Sequence, residues 1–204
     1  MALFKKKSKA PYSRGMTYVE LVVVLGIFAV MSNVVLFNYG GFQAKVDIKN
    51  LANDIALKIV EAQKSSLAGR LPPAVQQGIL IAGWKPSYGV YMNLASDNKS
   101  FIYFTDANNN NLYDGSDCAG ECSTKVSITK GNTISSLDVY YTDGTPVQNV
   151  ANIAATFKRP NSGATITSTS LSSPNISYVQ ITISSLHSIS AKIKLYVSGR
   201  IQIN

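Results

Sequence analysis

Between Leu21 and Ala44 the chain carries no charged residue, and from Leu21-Val22-Val23-Val24-Leu25 to Val34-Val35-Leu36-Phe37 it is almost continuously apolar. About 20 residues of apolar helix span a bilayer, so the run is long enough for one crossing. Positive charge stands only on its N-terminal side, at Lys5, Lys6, Lys7, Lys9 and Arg14, with no acidic residue among them. That asymmetry predicts a cytoplasmic N-terminus and an exported remainder. A cleaved secretory signal peptide and a plain signal anchor share these features. Against ordinary secretion, no small-x-small cleavage site follows the run, which continues into Phe37-Asn38-Tyr39-Gly40-Gly41-Phe42. The same leader explains the formal charge of +8: removing its five cations from 19 basic residues leaves 14 against 11 acidic ones. The excess is mostly a topology signal and not the footprint of an acidic partner.

After Gly40-Gly41 the apolar period becomes helical. Ile48, Leu51, Ile55 and Ile59 recur at spacings of three and four, with Lys49, Asn53, Lys58 and Lys64 between them, so one face seeks a core. Pro72-Pro73 ends the pattern, and the helix is expected to stop by Gly69. As one helix, residues 17–68 would measure about 78 Å. Beyond Pro73 the chain is rich in Ser, Thr, Asn and Gly around short β-branched and aromatic runs. These predict strands at Tyr88–Met92, Phe101–Phe104, Lys125–Thr129, Leu137–Tyr141, Ile153–Lys158, Ala164–Thr167, Tyr178–Ile183, Ala191–Val197 and Arg200–Ile203. Turn residues such as Asp143-Gly144 and Ser198-Gly199 separate them. The expected fold class is α+β: a long N-terminal hydrophobic helix packed on a C-terminal antiparallel β-sandwich. Its segments are a basic leader over 1–15, an apolar half-helix over 16–44, an amphipathic half over 45–70 and a β-rich domain over 71–204.

The only cysteines, Cys118 and Cys122, would close a very short loop if a turn at Gly120 brings them together. In an exported domain oxidation is the default, with two free thiols or half of a metal site as the alternatives. Just before them, oxygen-bearing side chains fall at loop positions 1, 3, 5, 9 and 12: Asp106, Asn108, Asn110, Asp114 and Asp117. Leu112 stands where a backbone carbonyl would complete a calcium loop. Asn111 replaces the turn glycine and Asp117 the bidentate glutamate. Crowded carboxylates favour a bound cation, so calcium is one reading; a solvated turn whose Asn and Asp side chains cap their own backbone is the other.

Glu20 is out of place at the head of an apolar helix, because an acidic group inside a membrane costs about 2.5–3.5 kcal/mol on insertion scales. It therefore needs a partner. In Ser13-Arg14-Gly15-Met16-Thr17-Tyr18-Val19-Glu20 the chain resembles the type IV filament superfamily, with its short basic leader, glycine before the cut and glutamate at the fifth mature position. The resemblance implies cleavage after Gly15 by a membrane prepilin peptidase, N-methylation of Met16, and pairing of Glu20 with an N-terminal amine during filament assembly. Met16 stands where phenylalanine is usual, and Phe37 where a proline is often found.

Tyr88-Gly89-Val90-Tyr91, Phe101 to Asp106, Phe157-Lys158-Arg159-Pro160 and Ser198-Gly199-Arg200-Ile201 look like the H-type minor pseudopilins of type II secretion and their minor-pilin relatives. This implies a structural subunit of a pseudopilus or pilus, held in the inner (cytoplasmic) membrane with its C-terminal domain outside the cytoplasm. Its implied partners are other pilin or pseudopilin subunits, the prepilin peptidase, membrane lipid and, indirectly, an assembly ATPase and its membrane platform. Some relatives bind DNA through Gly-Arg-x-Arg. Gly199 and Arg200 match, but Gln202 replaces the second arginine, so Lys192, Lys194 and Arg200 are weighed as a phosphate-binding patch against an ordinary solvated strand face. A membrane-anchored β-domain that never polymerises is the remaining alternative. His187, the single histidine, lies in no Ser/His/Asp or Cys/His arrangement, and the expectation is a non-enzyme.

Overall fold

The computed structural model describes residues 15–204 except 117 and 187, together with the backbone alone at Asn38; the leader before Gly15 lies outside them. The first element, α1, is one helix over Tyr18–Leu67. Thr17 starts it: its hydroxyl accepts the Glu20 N–H at 3.3 Å and its carbonyl accepts the Leu21 N–H at 3.1 Å. Thr-x-x-Glu is the spacing of a capping box, and a first-turn carboxylate also suits the positive end of the helix dipole. At the other end, Arg70 N–H bonds to the Ser65 carbonyl and Gly69 N–H to that of Ser66, with Gly69 at φ 67°. This is a Schellman stop, and glycine is the residue that takes the left-handed step without a Cβ penalty.

Two compact units divide the chain, one up to Phe42 and one from Gln43 to Asn204. In the first, the most apolar 18-residue stretch of α1 has none of its residues buried, and it is the one helix among the described residues long and apolar enough to cross a membrane.

In the second unit α1 buries Ala44, Ile48, Ala52, Ile55, Ile59 and Ala62, a stripe of threes and fours. A short helix, α2 (Ala74–Gln77), begins directly after Pro73, where the sequence suggested only a break. Proline ends a preceding helix yet suits the start of the next, since no N–H is needed there. The strands are β1 (Ser87–Asn93), β2 (Asp97–Thr105), β3 (Cys122–Ser127), β4 (Thr133–Tyr141), β5 (Gln148–Asn149), β6 (Asn152–Lys158), β7 (Ala164–Thr167), β8 (Ile176–Ser184), β9 (Ser190–Tyr196) and β10 (Ile201–Ile203). They form two five-stranded antiparallel sheets, in the orders β3-β2-β1-β6-β7 and β10-β9-β8-β4-β5. Every expected strand is present; β5, a two-residue edge, has too little sequence to show alternation.

One apolar core joins the stripe of α1 to a face of each sheet. From the first come Tyr88, paired in register with Phe157, and Val90, paired with Tyr103 and Ala155. From the second come the rows Leu137–Ile181–Ile193 and Val139–Val179–Leu195. Alternation sends the intervening residues to the opposite faces, which places the candidate sites.

Candidate functional site

At the head of α1, Gly15, Met16 and Thr17 precede the helix and Glu20 lies exposed in its first turn. The hydrogen bond to Thr17 uses the backbone N–H of Glu20, leaving the carboxylate outside the cap.

The Asn-rich segment folds into a cap stitched by its own side chains. Asp106 is fully buried, and its carboxylate accepts the N–H groups of Asn110 at 3.0 Å and Asn111 at 3.1 Å and the Ser87 hydroxyl at 3.0 Å. Asn108 Oδ1 accepts the Asn110 N–H and Asn110 Oδ1 accepts the Leu112 N–H. Asp114 Oδ2 receives both amide groups, from Asn108 Nδ2 at 2.7 Å and Asn110 Nδ2 at 2.6 Å. Asn109 and Asn111 take left-handed φ values of 58° and 63°, which Asn tolerates better than other residues with a Cβ. The structure thus gathers Asp106, Asn108, Asn110 and Asp114, with Leu112 beside them; Asp117 lies outside the described residues. Among those described, no three His, Cys, Asp or Glu side chains are arranged to hold a metal.

The hub of this cap is Glu121, which the spacing argument missed. Its Oε1 accepts the Ala107 N–H at 2.7 Å and its Oε2 the Asp114 N–H at 2.9 Å, so one carboxylate ties both ends of the loop. Only 3% of it is exposed, and it makes no ion pair among the described residues. Burial pushes its carboxyl above the ordinary carboxylate range, with the charges of Asp106 and Asp114 adding to the rise while the two N–H donors oppose it. The disulfide flanks it: Cys118 and Cys122 are joined across a turn at Gly120, with Cα atoms 4.7 Å apart. Gln76 of α2 completes the seam, donating to the Cys122 carbonyl at 2.7 Å, and Trp84 Nε1 donates to the Asp106 carbonyl at 2.8 Å. A lone acid beside a cysteine is the only trace of Glu121 in the sequence.

On the outer face of the second sheet, Lys192 and Lys194 alternate with buried Ala191, Ile193 and Leu195. A row of rings crosses the same face: Tyr140 and Tyr178 stack at 4.4 Å, and Tyr178 meets Tyr196 at 5.2 Å. Lys194 Nζ lies 5.2 Å from the centre of the Tyr178 ring, and the Arg200 guanidinium 4.0 Å from that of Tyr196. None of Lys192, Lys194 and Arg200 has a carboxylate partner among the described residues. Gly199 serves the β9–β10 turn, at φ 85°, where a Cβ would meet the Ser162 carbonyl oxygen. His187 lies outside the described residues.

No family model matches the chain, and neither a curated protein nor a solved structure is similar enough to it to count as a match.

Proposed function

We propose that the chain is a structural, non-enzymatic subunit of a type IV pilin-like filament, closest in kind to the H-type minor pseudopilins of type II secretion or their minor-pilin relatives. The observation that carries the reading is the contrast within α1: an apolar half, headed by Glu20, whose most apolar stretch has no buried residue, continuous with a half built into the β-rich core. An apolar helix surface of this length demands cover, supplied by lipid before assembly and by neighbouring helices afterwards. Glu20, with its carboxylate outside the helix cap, then seeks a positive partner from another chain, and the amine of a neighbour cut after Gly15 and methylated on Met16 supplies it. The leader holds the N-terminus in the cytoplasm until the prepilin peptidase removes it, and the energy of assembly comes from an ATPase acting through the membrane platform.

Intact mass and N-terminal sequencing of the membrane-extracted protein test this reading: the expected start is methylated Met16, and a chain retaining residues 1–15 overturns it. Glu20→Ala is expected to be processed normally yet to be absent from the sheared filament fraction. An anchored domain that never polymerises would show no such loss.

A second reading, DNA binding during uptake, is favoured by the shared face of Lys192, Lys194 and Arg200. The tyrosines lie too close together for a base to enter between them, so the contact would be with phosphates. It requires salt-sensitive retardation of duplex DNA that Lys194→Gln and Arg200→Gln both weaken.

A further inference from the structure

On the outer face of the first sheet, opposite the core, the row Tyr91–Ile102–Lys125 crosses β1, β2 and β3. It floors an open cleft of about 470 Å³, within the range of small-molecule sites. Tyr113 of the Asn-rich cap forms one side, its ring 4.9 Å from that of Tyr91 and tilted by 35°. Asn93 and Asp97, paired across the β1–β2 turn, form the other. This cleft shares no residue with the head of α1 or the cationic face of the second sheet.

Its chemistry narrows the ligand. Asp97 and Lys125 pair at 3.4 Å, so among the described residues the lining holds one charge of each sign, each offsetting the other. The Tyr91 hydroxyl accepts from Asn93 Nδ2 at 3.0 Å and keeps its own proton to donate. Asn93 retains a second N–H, while Asp97 Oδ2, already accepting the Ser100 hydroxyl at 2.6 Å, keeps further lone pairs. Donors and acceptors thus alternate over a short arc beside two aromatic rings. Neighbouring hydroxyls on one sugar ring both donate and accept, and the C–H face of that ring is weakly positive, matching the negative face of an aromatic. A purely apolar ligand would leave the polar groups unpaired.

We propose that this cleft binds a neutral saccharide, with the Tyr113 ring, backed by Tyr91, against the face of the sugar and Tyr91, Asn93 and Asp97 engaging its hydroxyls. The inference does not depend on the assembly reading. The test uses the full chain in a detergent without a sugar headgroup, titrated with cellotriose, chitotriose and maltotriose and followed by calorimetry and ligand-observed NMR. At least one trisaccharide is expected to bind, and Tyr113→Ala to weaken it about tenfold. Because Tyr113 also packs 5.4 Å from Phe104, Tyr91→Phe provides a gentler variant: it removes one oxygen and is expected to weaken the same ligand severalfold without shifting the melting temperature. No binding of any of the three at about 10 mM overturns the proposal, as does binding that both variants leave unchanged. Salt-sensitive binding of heparin alone also overturns it, since that would mark a polyanion site.

Discussion

Glu20 and Glu121 both sit where a carboxylate is costly, and they are accommodated in opposite ways. Glu20 is exposed at the head of an apolar half-helix, and the hydrogen bond that ties it to Thr17 uses its backbone N–H, not its carboxylate. Glu121 is buried, and each of its oxygens accepts a backbone N–H from the loop it holds. The first carboxylate has no hydrogen bond or ion pair among the described residues, and the second has both partners inside. On the proposed reading Glu20 bears on association, whereas Glu121 bears on the fold of the second unit.

The largest expected effect separates the two. Glu121→Ala strands the N–H of buried Ala107, at about 1–3 kcal/mol for an unsatisfied buried group, and removes an ordinary hydrogen bond worth about 0.5–1.5 kcal/mol at exposed Asp114, so the second unit is expected to lose about 1.5–4.5 kcal/mol in urea unfolding. Glu20→Ala is expected to leave that transition where it was, because Glu20 belongs to the first unit and its backbone N–H bonds to Thr17 there. Equal losses from the two variants would break the contrast.

The same contrast explains what could be read from the sequence. A charge in an apolar run stands out from its surroundings, so Glu20 announces itself, as does the Ile48–Ile55–Ile59 stripe through its period. Strands such as Ile193-Lys194-Leu195-Tyr196-Val197 show through alternation, and β9 covers all of these but Val197. Glu121 lies in a polar loop where another acid changes no pattern, and its role arises only when residues 107 and 114 fold back upon it. The spacing argument picked out this loop and named Asp114 and Asn110 within it, but it could not see the N–H groups that bond to these oxygens. Lys192 and Lys194 were legible as one strand face; the tyrosine row that accompanies them depends on the register of β4, β8 and β9.

The disulfide is expected to have an intermediate effect, and it acts on the Glu121 side of the comparison alone. Its loop spans Cys118 to Cys122, and closing a ring of this size restrains the unfolded chain by about 2 kcal/mol on the chain-entropy account. Replacing both cysteines by serine should therefore lower the stability of the second unit by about that amount and raise hydrogen exchange at the Ala107 and Asp114 amides. Unchanged exchange there would show that Glu121 holds the loop without the staple.

Titration gives a smaller effect with a definite sign. Burial raises the folded-state pKa of Glu121 above its ordinary value of 4.5. The unfolded chain then releases its proton first as pH rises, so wild-type stability relative to Glu121→Gln should be greatest below about pH 4.5 and fall until the raised pKa is passed. The slope cannot exceed about 1.4 kcal/mol per pH unit. Asp97 shifts the other way, lowered chiefly by the Ser100 hydroxyl and also by Lys125, and its contribution is lost as pH falls through its depressed pKa. A wild-type advantage that grows with pH between 4.5 and 7 would mean that the N–H donors outweigh burial at Glu121.

Calcium should have the smallest effect, and it tests whether the loop belongs with Glu121 or with Glu20. In the folded cap, Asp106 and Glu121 already accept N–H and O–H donors on every carboxylate oxygen, and Asp114 Oδ2 holds two amide groups. An ion at Asp114 Oδ2 would displace the Asn108 and Asn110 amides, exchanging charge-assisted hydrogen bonds for coordination. The net gain is expected to be within about 1 kcal/mol, which for a domain of this size shifts the melting temperature by about 2–4 °C at most. A larger rise in millimolar calcium, abolished by Asp114→Asn, would show that this carboxylate has its principal partner outside the chain.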